Sequence, residues 1–284
     1  MGPRRNRGAR SITRRALIAL ALAGCSTPAT SGAPDADWPE PPPDAVRGEV
    51  TSVVDGDSLR VDIDGQTVEI RLGGINAPEF DECHAAPAAD RLRRLLGESV
   101  WLDVISTDQY GRSVGYVWVD SDSDFVNGSL VADGHALAMT TDDRWAALLI
   151  GAEEAARERD DGLWSPDACG EDFEFDLALD MTQPDPPGPD NEVLDEEFVT
   201  IHNDGDQSAD LTGFVLRDES SVNRLRLPAG TVIPAGGARV IPSGCDDPIG
   251  WCSSMAIWNN AGDSALLLGP EGTVVAHTRY RPSD

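Results

Sequence analysis

The chain has 284 residues, long enough for two modest domains, and its 40% apolar content can fill two cores, which excludes a disordered chain. It carries 22 basic against 50 acidic residues, a formal charge of −28, and every basic residue is Arg. Such acidity keeps a protein soluble and works against a polyanion partner held by a broad basic surface, unless salt screens the repulsion.

Residues 1–25 read as an export signal rather than part of a fold. Arg4, Arg5, Arg7, Arg10, Arg14 and Arg15 precede the apolar run from Ala16 to Ala23, which is far shorter than the ~20 residues that span a bilayer. The run ends in Leu22-Ala23-Gly24-Cys25, similar to the lipobox of bacterial lipoproteins, which implies lipidation of Cys25 and attachment to a membrane through that lipid. Thr13-Arg14-Arg15 also resembles a twin-arginine signal. Residues 26–45, with five prolines between Pro34 and Pro43, are expected to form an extended tether. This places the protein outside the cytoplasm, as a cell-surface lipoprotein or a secreted protein.

From 46 to 170 the pattern predicts strands at 49–54, 58–63, 67–75, 99–105 and 113–119, rich in β-branched and aromatic residues and bounded by Gly, Asp or Ser. Helices are expected at 85–96, 125–133 and 142–159. In the last of these Trp145, Leu148, Leu149, Ala152 and Ala156 share one face. Five short strands with interspersed helices fit an α+β domain built on a small Greek-key barrel of the OB type.

Three motifs carry chemistry. Val54-Asp55-Gly56-Asp57-Ser58 sets two carboxylates at a turn, Ile70-Arg71-Leu72-Gly73-Gly74-Ile75-Asn76-Ala77-Pro78-Glu79 gathers Arg71, Asn76 and Glu79, and Asp108-Gln109-Tyr110-Gly111-Arg112 follows. In this order and spacing they resemble the staphylococcal nuclease family, as do Val126-Asn127 and Gly162-Leu163-Trp164-Ser165. The resemblance implies a calcium-dependent phosphodiesterase acting on DNA or RNA. It assigns Asp57, Asn76 and the Ala77 carbonyl to the metal, Glu79 to the base, Arg71 and Arg112 to the phosphate, and Tyr110 to the nucleotide's side. The chemistry agrees, since hard oxygen donors suit Ca²⁺ and the planar guanidinium fork matches phosphate oxygens. One departure stands out. The family's second ligand is usually Asp, and the neutral Asn76 predicts weaker Ca²⁺ binding.

Taken singly, each of these residues has a plainer role, such as a turn cap for Asp57 or a cross-sheet ion pair for Arg71. His84 and His135 read as surface or partly buried polar residues, and Trp118, Trp145 and Trp164 as core. Residues 46–170 hold 10 Arg against 25 acidic residues, net −15, an awkward balance for a nuclease that Arg91, Arg93 and Arg94 would offset locally. The alternative is a non-catalytic surface adhesin whose barrel only binds.

Residues 171–192 are acidic and Pro-rich. Short β-runs then recur at 197–202, 213–217, 223–227, 238–241, 264–268 and 273–277, the pattern of an all-β sandwich. Glu197-Phe198-Val199-Thr200-Ile201-His202-Asn203, Asp210-Leu211-Thr212-Gly213-Phe214, Leu227-Pro228-Ala229-Gly230-Thr231 and Trp258-Asn259-Asn260-Ala261-Gly262-Asp263 resemble a lamin-tail domain, which implies an immunoglobulin-like fold over 171–284 with its linker. Trp258 reads as a buried ring beside a turn. The partner of this domain is open, and the whole is expected to be a monomer. Besides Cys25, four cysteines remain; they allow three pairings, and position favours one bridge per domain, Cys83–Cys169 and Cys245–Cys252. Every residue assigned to chemistry precedes Gly170, so residues 46–170 are expected to suffice for it.

Overall fold

A computed structural model of the protein describes residues 38–282 apart from 81, 122–123, 141–143, 171–172, 174 and 221. The export signal, Cys25 and residues 26–37 of the tether lie outside the described residues. Packing begins within the segment expected to be tether. The Trp38 ring meets Phe125 edge-on at 6.0 Å, and the Pro39 carbonyl accepts a 2.6 Å hydrogen bond from Trp118 Nε1.

Strands β1 (Val46–Val53), β2 (Ser58–Ile63) and β3 (Gln66–Leu72) form a meander. The short β4 (Ile75–Asn76) and helix α1 (Ala85–Leu95) follow, then β5 (Ser99–Thr107) and β6 (Ser113–Val119). The order β1-β2-β3-β6-β5 closes into a barrel, with β3 and β6 parallel and the other pairs antiparallel. Its core is Leu59, Val61, Ile70, Leu72, Val100, Leu102, Val117 and Trp118, closed off by Leu92, Leu130 and Leu149 from helices and by Phe125, in the extended segment before Val126. This is the expected OB barrel.

The run 67–75 is not one strand. Gly74 takes φ +69, a conformation unfavourable to any residue with a Cβ, and the chain turns there so that β4 pairs instead with β7 (Leu137–Ala138). Helix α2 (Val126–Ala132) holds this turn: the fully buried Asn127 donates from Nδ2 to the Gly73 carbonyl at 2.9 Å and accepts from the Val117 N–H at 3.0 Å. Helix α3 (Ala146–Glu158) starts later than the apolar pattern predicts.

The tail domain begins earlier than its acidic composition suggests. Strand β8 (Leu177–Gln183) buries Leu177, Leu179 and Met181 at alternate positions and pairs with β9 (Phe198–Asn203). Then come β10 (Ala209–Asp210), β11 (Val215–Arg217), β12 (Arg224–Arg226), β13 (Val232–Ile233), β14 (Ala238–Pro242), β15 (Asp263–Leu268) and β16 (Val274–Tyr280). The sheets β14-β9-β8 and β12-β11-β15-β16, with the pair β10-β13, enclose a second core around Val199, Ile201, Leu216, Trp258 and Leu267. This is the immunoglobulin-like sandwich. Trp258 is buried, with a turn closed by Gly262 N–H on the Asn259 carbonyl beside it.

The two domains share a third apolar cluster. Leu137, Ala156, Leu163 and Trp164 of the barrel domain pack with Leu266 and Leu268 of β15. Beside it Glu153, fully buried on α3, accepts a 2.8 Å hydrogen bond from Arg279 and another of 2.7 Å from the Ala138 N–H. The expectation that residues 46–170 stand alone therefore meets a joint core, because two facing apolar surfaces bury each other. Both disulfides form as expected, Cys83–Cys169 across 86 residues and Cys245–Cys252 within the tail domain.

Candidate active site

The site grows from the ends of β1, β3 and β5. After β1 the chain turns at Gly56, and the Asp55 carboxylate accepts the Asp57 N–H at 3.1 Å. The Asp57 carbonyl in turn accepts from the Leu72 N–H at 2.8 Å, fixing this turn against the end of β3. Asp57 is buried; its Oδ2 accepts from the Ala77 N–H at 2.8 Å and lies 3.0 Å from the Arg71 guanidinium. Burial pushes its carboxyl up to about 6, with Arg71 opposing the rise.

Arg71 is held on several sides at once. It donates to the carbonyls of Leu72 and Ile75 and, at 2.9 Å, to Asn76 Oδ1. Its guanidinium thus places positive charge between the Asp57 carboxylate and the Asn76 amide oxygen, two of the three oxygens assigned to a metal.

Arg112 and Tyr110 come from the β5–β6 turn, which the sequence motif leaves unexplained until Asp108 is considered. Asp108 Oδ1 accepts the N–H groups of Tyr110 and Arg112, both at 2.9 Å, and its Oδ2 takes Arg112 Nε at 2.7 Å. One carboxylate therefore shapes the turn and aims the guanidinium. Glu79 sits on an exposed turn closed by Glu82, whose Oε2 accepts the Glu79 N–H at 2.6 Å.

Asp57, Arg71, Asn76, Glu79, Tyr110 and Arg112 line one open cleft. Ala77 lies beneath it, 2% exposed. The arrangement supplies oxygen donors for a hard cation, an exposed carboxylate and two planar cationic forks around a common space. All three assigned atoms are oxygens, the donor type a hard divalent ion takes, while the Arg71 guanidinium, held by two of them, opposes a second positive charge there. Among the described residues no group of three or more His, Cys, Asp or Glu side chains could hold a metal, so Asn76 and a carbonyl would have to complete the site.

The other expectations sort cleanly. His84 and His135 are partly buried and stacked on each other, with 2.9 Å between Nε2 and Nδ1, away from the cleft. Trp118, Trp145 and Trp164 are core or packed against it. Arg91 and Arg93 do not form a free basic face, because they pair with Asp133 and Asp90 at 2.6 Å.

A feature invisible in the motifs is the tail domain at the cleft's edge. Asn76 Nδ2 donates to the Glu219 carbonyl at 3.1 Å, and the Thr140 N–H donates to the Glu219 carboxylate at 2.9 Å. Glu82 pairs with Arg217 at 3.1 Å and with Arg224. Ser220 and Val222 line the same cleft as the motif residues.

A closed OB barrel with cationic forks and carboxylates gathered in one cleft, fused to an immunoglobulin-like sandwich, defines the class of molecule. The chain belongs to the staphylococcal nuclease family and carries a lamin tail domain after it. Residues 69–166 match the family described as Staphylococcal nuclease homologue, and residues 176–282 match the Lamin Tail Domain. Six of the seven motif residues fall inside the first match, and Asp57 precedes it. Among curated proteins, the chain is 34% identical over 160 residues to Protein ParB of Escherichia coli, covering 53% of this chain and 83% of that one. It is 30% identical over 145 residues to a Micrococcal nuclease of Shigella flexneri, covering 46% and 81%. It is 31% identical over 133 residues to a Thermonuclease of Staphylococcus intermedius, covering 42% and 78%.

Proposed function

We propose that this protein is a calcium-dependent nuclease that hydrolyses phosphodiester bonds of DNA or RNA outside the cytoplasm, held at a membrane through lipid on Cys25. The observation that carries the reading is the convergence of Arg71, Glu79 and Arg112 with Asp57 and Asn76 in one cleft. The nuclease names of the relatives support it.

In this reading Asp57, Asn76 and the Ala77 carbonyl would hold Ca²⁺, which would supply positive charge to offset that of the phosphate. Glu79 takes the proton of the attacking water, for which an exposed carboxylate at the cleft's edge is suited. Arg71 and Arg112 donate to the phosphate oxygens and meet the extra negative charge of the transition state. Asp108 keeps the Arg112 fork pointed at that position, so the arginine loses little freedom on binding.

Incubating the protein with plasmid DNA and with RNA, in Ca²⁺ or in EDTA, tests the proposal. Cleavage in Ca²⁺ that stops in EDTA is expected. Binding without cleavage in either condition would favour the adhesin reading instead.

A further inference from the structure

We propose that Ser220 and Val222, between β11 and β12 of the lamin tail domain, form a wall of the nucleic-acid cleft, and that Val222 contacts the base or sugar of the bound strand. The proposal rests on the nuclease reading and extends it to a domain that none of the catalytic motifs reaches.

The loop is internally stapled. The Asp218 carboxylate accepts from Ser220 Oγ at 2.8 Å and from Asn223 Nδ2 at 2.7 Å, and the Val222 N–H donates to Ser220 Oγ at 3.2 Å. Arg217, 4% exposed, donates to the carbonyls of Asp218 at 3.1 Å and Ser220 at 2.9 Å. Val222, tied through Ser220 to the buried Asp218, is held in place by these bonds, so its contact with a ligand costs little ordering entropy.

The loop is also fastened to the catalytic turns. Glu219 receives Asn76 on its carbonyl and Thr140 on its carboxylate. Arg217 and Arg224 grip Glu82, the residue that closes the turn bearing Glu79. An aspartate at position 76 would set a carboxylate oxygen against the Glu219 carbonyl, whereas the amide donates to it. The amide at position 76 thus suits the seated hairpin, where a carboxylate would repel the Glu219 carbonyl.

Val222 is 79% exposed and Tyr110 73% exposed, and with Ile105 and Met139 they give the cleft apolar surface beside its arginines and carboxylates. Apolar and aromatic groups there suit the uncharged face of a nucleobase or sugar, while the arginines take the phosphate. Val222, being so exposed, is a substrate contact open to substitution without disturbing a core.

Three full-length variants test this, Val222→Asp, Val222→Arg and, as a charge control on an exposed residue outside the cleft lining, Met255→Asp. The probe is a fluorescently labelled single-stranded thymidine oligonucleotide in Ca²⁺. Its Kd is read by anisotropy on a Glu79→Gln background, and kcat and KM are read on the active background. Val222→Asp is expected to raise Kd and KM about tenfold with kcat within about twofold, through charge repulsion from the strand. Val222→Arg is expected to lower both, and Met255→Asp to leave them unchanged. Equal Kd and KM in all three variants would overturn the wall. Absence of cleavage by the unsubstituted protein would instead overturn the nuclease reading, and Kd alone would then decide the hairpin's role. A protein that neither binds nor cleaves overturns both.

Discussion

The Asn76 side chain joins two domains across 143 residues, accepting from Arg71 on its oxygen and donating to the Glu219 carbonyl from its nitrogen. A single amide thus touches the phosphate-binding arginine on one side and the lamin tail domain on the other.

Asn76→Asp is therefore expected to have two opposite effects. It adds a carboxylate to the oxygen set and should tighten Ca²⁺ binding. It also replaces a buried donor by an acceptor facing a carbonyl, which should cost about 1–3 kcal/mol of stability without metal. Calorimetry and thermal melts in EDTA measure the two separately. Unchanged or weaker Ca²⁺ affinity would remove Asn76 from the metal site.

Arg279→Met should destabilise the protein strongly. Glu153 is fully buried, and Arg279 is the guanidinium that reaches its Oε1 at 2.8 Å. Removing one partner of a buried pair costs about 3–5 kcal/mol. Denaturant midpoints with unchanged slope would show it, and an unchanged midpoint would contradict the pairing.

Truncation to residues 38–170, which keeps Trp38 and Pro39 on the barrel, should lower the melting temperature relative to the full chain, because Leu137, Leu163 and Trp164 lose Leu266 and Leu268 and Glu153 loses Arg279. The Cys83–Cys169 bridge constrains the unfolded barrel domain but does not cover that surface. Circular dichroism melts of both chains decide the matter, and equal transitions would mean the shared cluster contributes nothing.

Much of this was legible in the sequence, and the reason is local. The barrel strands announce themselves by β-branched runs, and Arg71, Asn76 and Glu79 lie within nine positions of one another. What was not legible lies far apart in the chain. Arg217 meets Glu82 across 135 residues and Arg279 meets Glu153 across 126, with no spacing to betray them. Two signals were present nonetheless. Glu153 interrupts the apolar face of α3 between Leu149 and Ala156, and Asn76 stands where an acid is usual. Strand β8 was hidden because Asp180 and the prolines after it dominate the composition, while Leu177, Leu179 and Met181 carry the alternation.

The folded state should lose stability as the pH rises. Burial pushes Glu219 up to about 7, and burial together with the Glu219 and Asp218 carboxylates pushes Asp263 up to about 8. Both values are raised, so the folded protein keeps protons that the unfolded chain releases. Their contribution to stability is full below the ordinary carboxylate range and is lost as the pH climbs through about 7 and 8. Between about pH 4 and about pH 8 the melting temperature should fall, and Asp263→Asn should flatten that fall. Parallel curves for the two proteins would contradict the placement of a protonated carboxyl at 263.

The most direct test of the account is the turnover of Glu79→Gln on single-stranded DNA in Ca²⁺, measured beside its affinity for the same strand. The amide keeps the size of the side chain but cannot take a proton from water. Turnover should fall about 10²–10⁴-fold while Kd stays within about twofold, because the base acts in the transition state rather than in binding. Turnover equal to that of the unsubstituted protein would contradict the assignment of Glu79, and with it the mechanism built on this cleft.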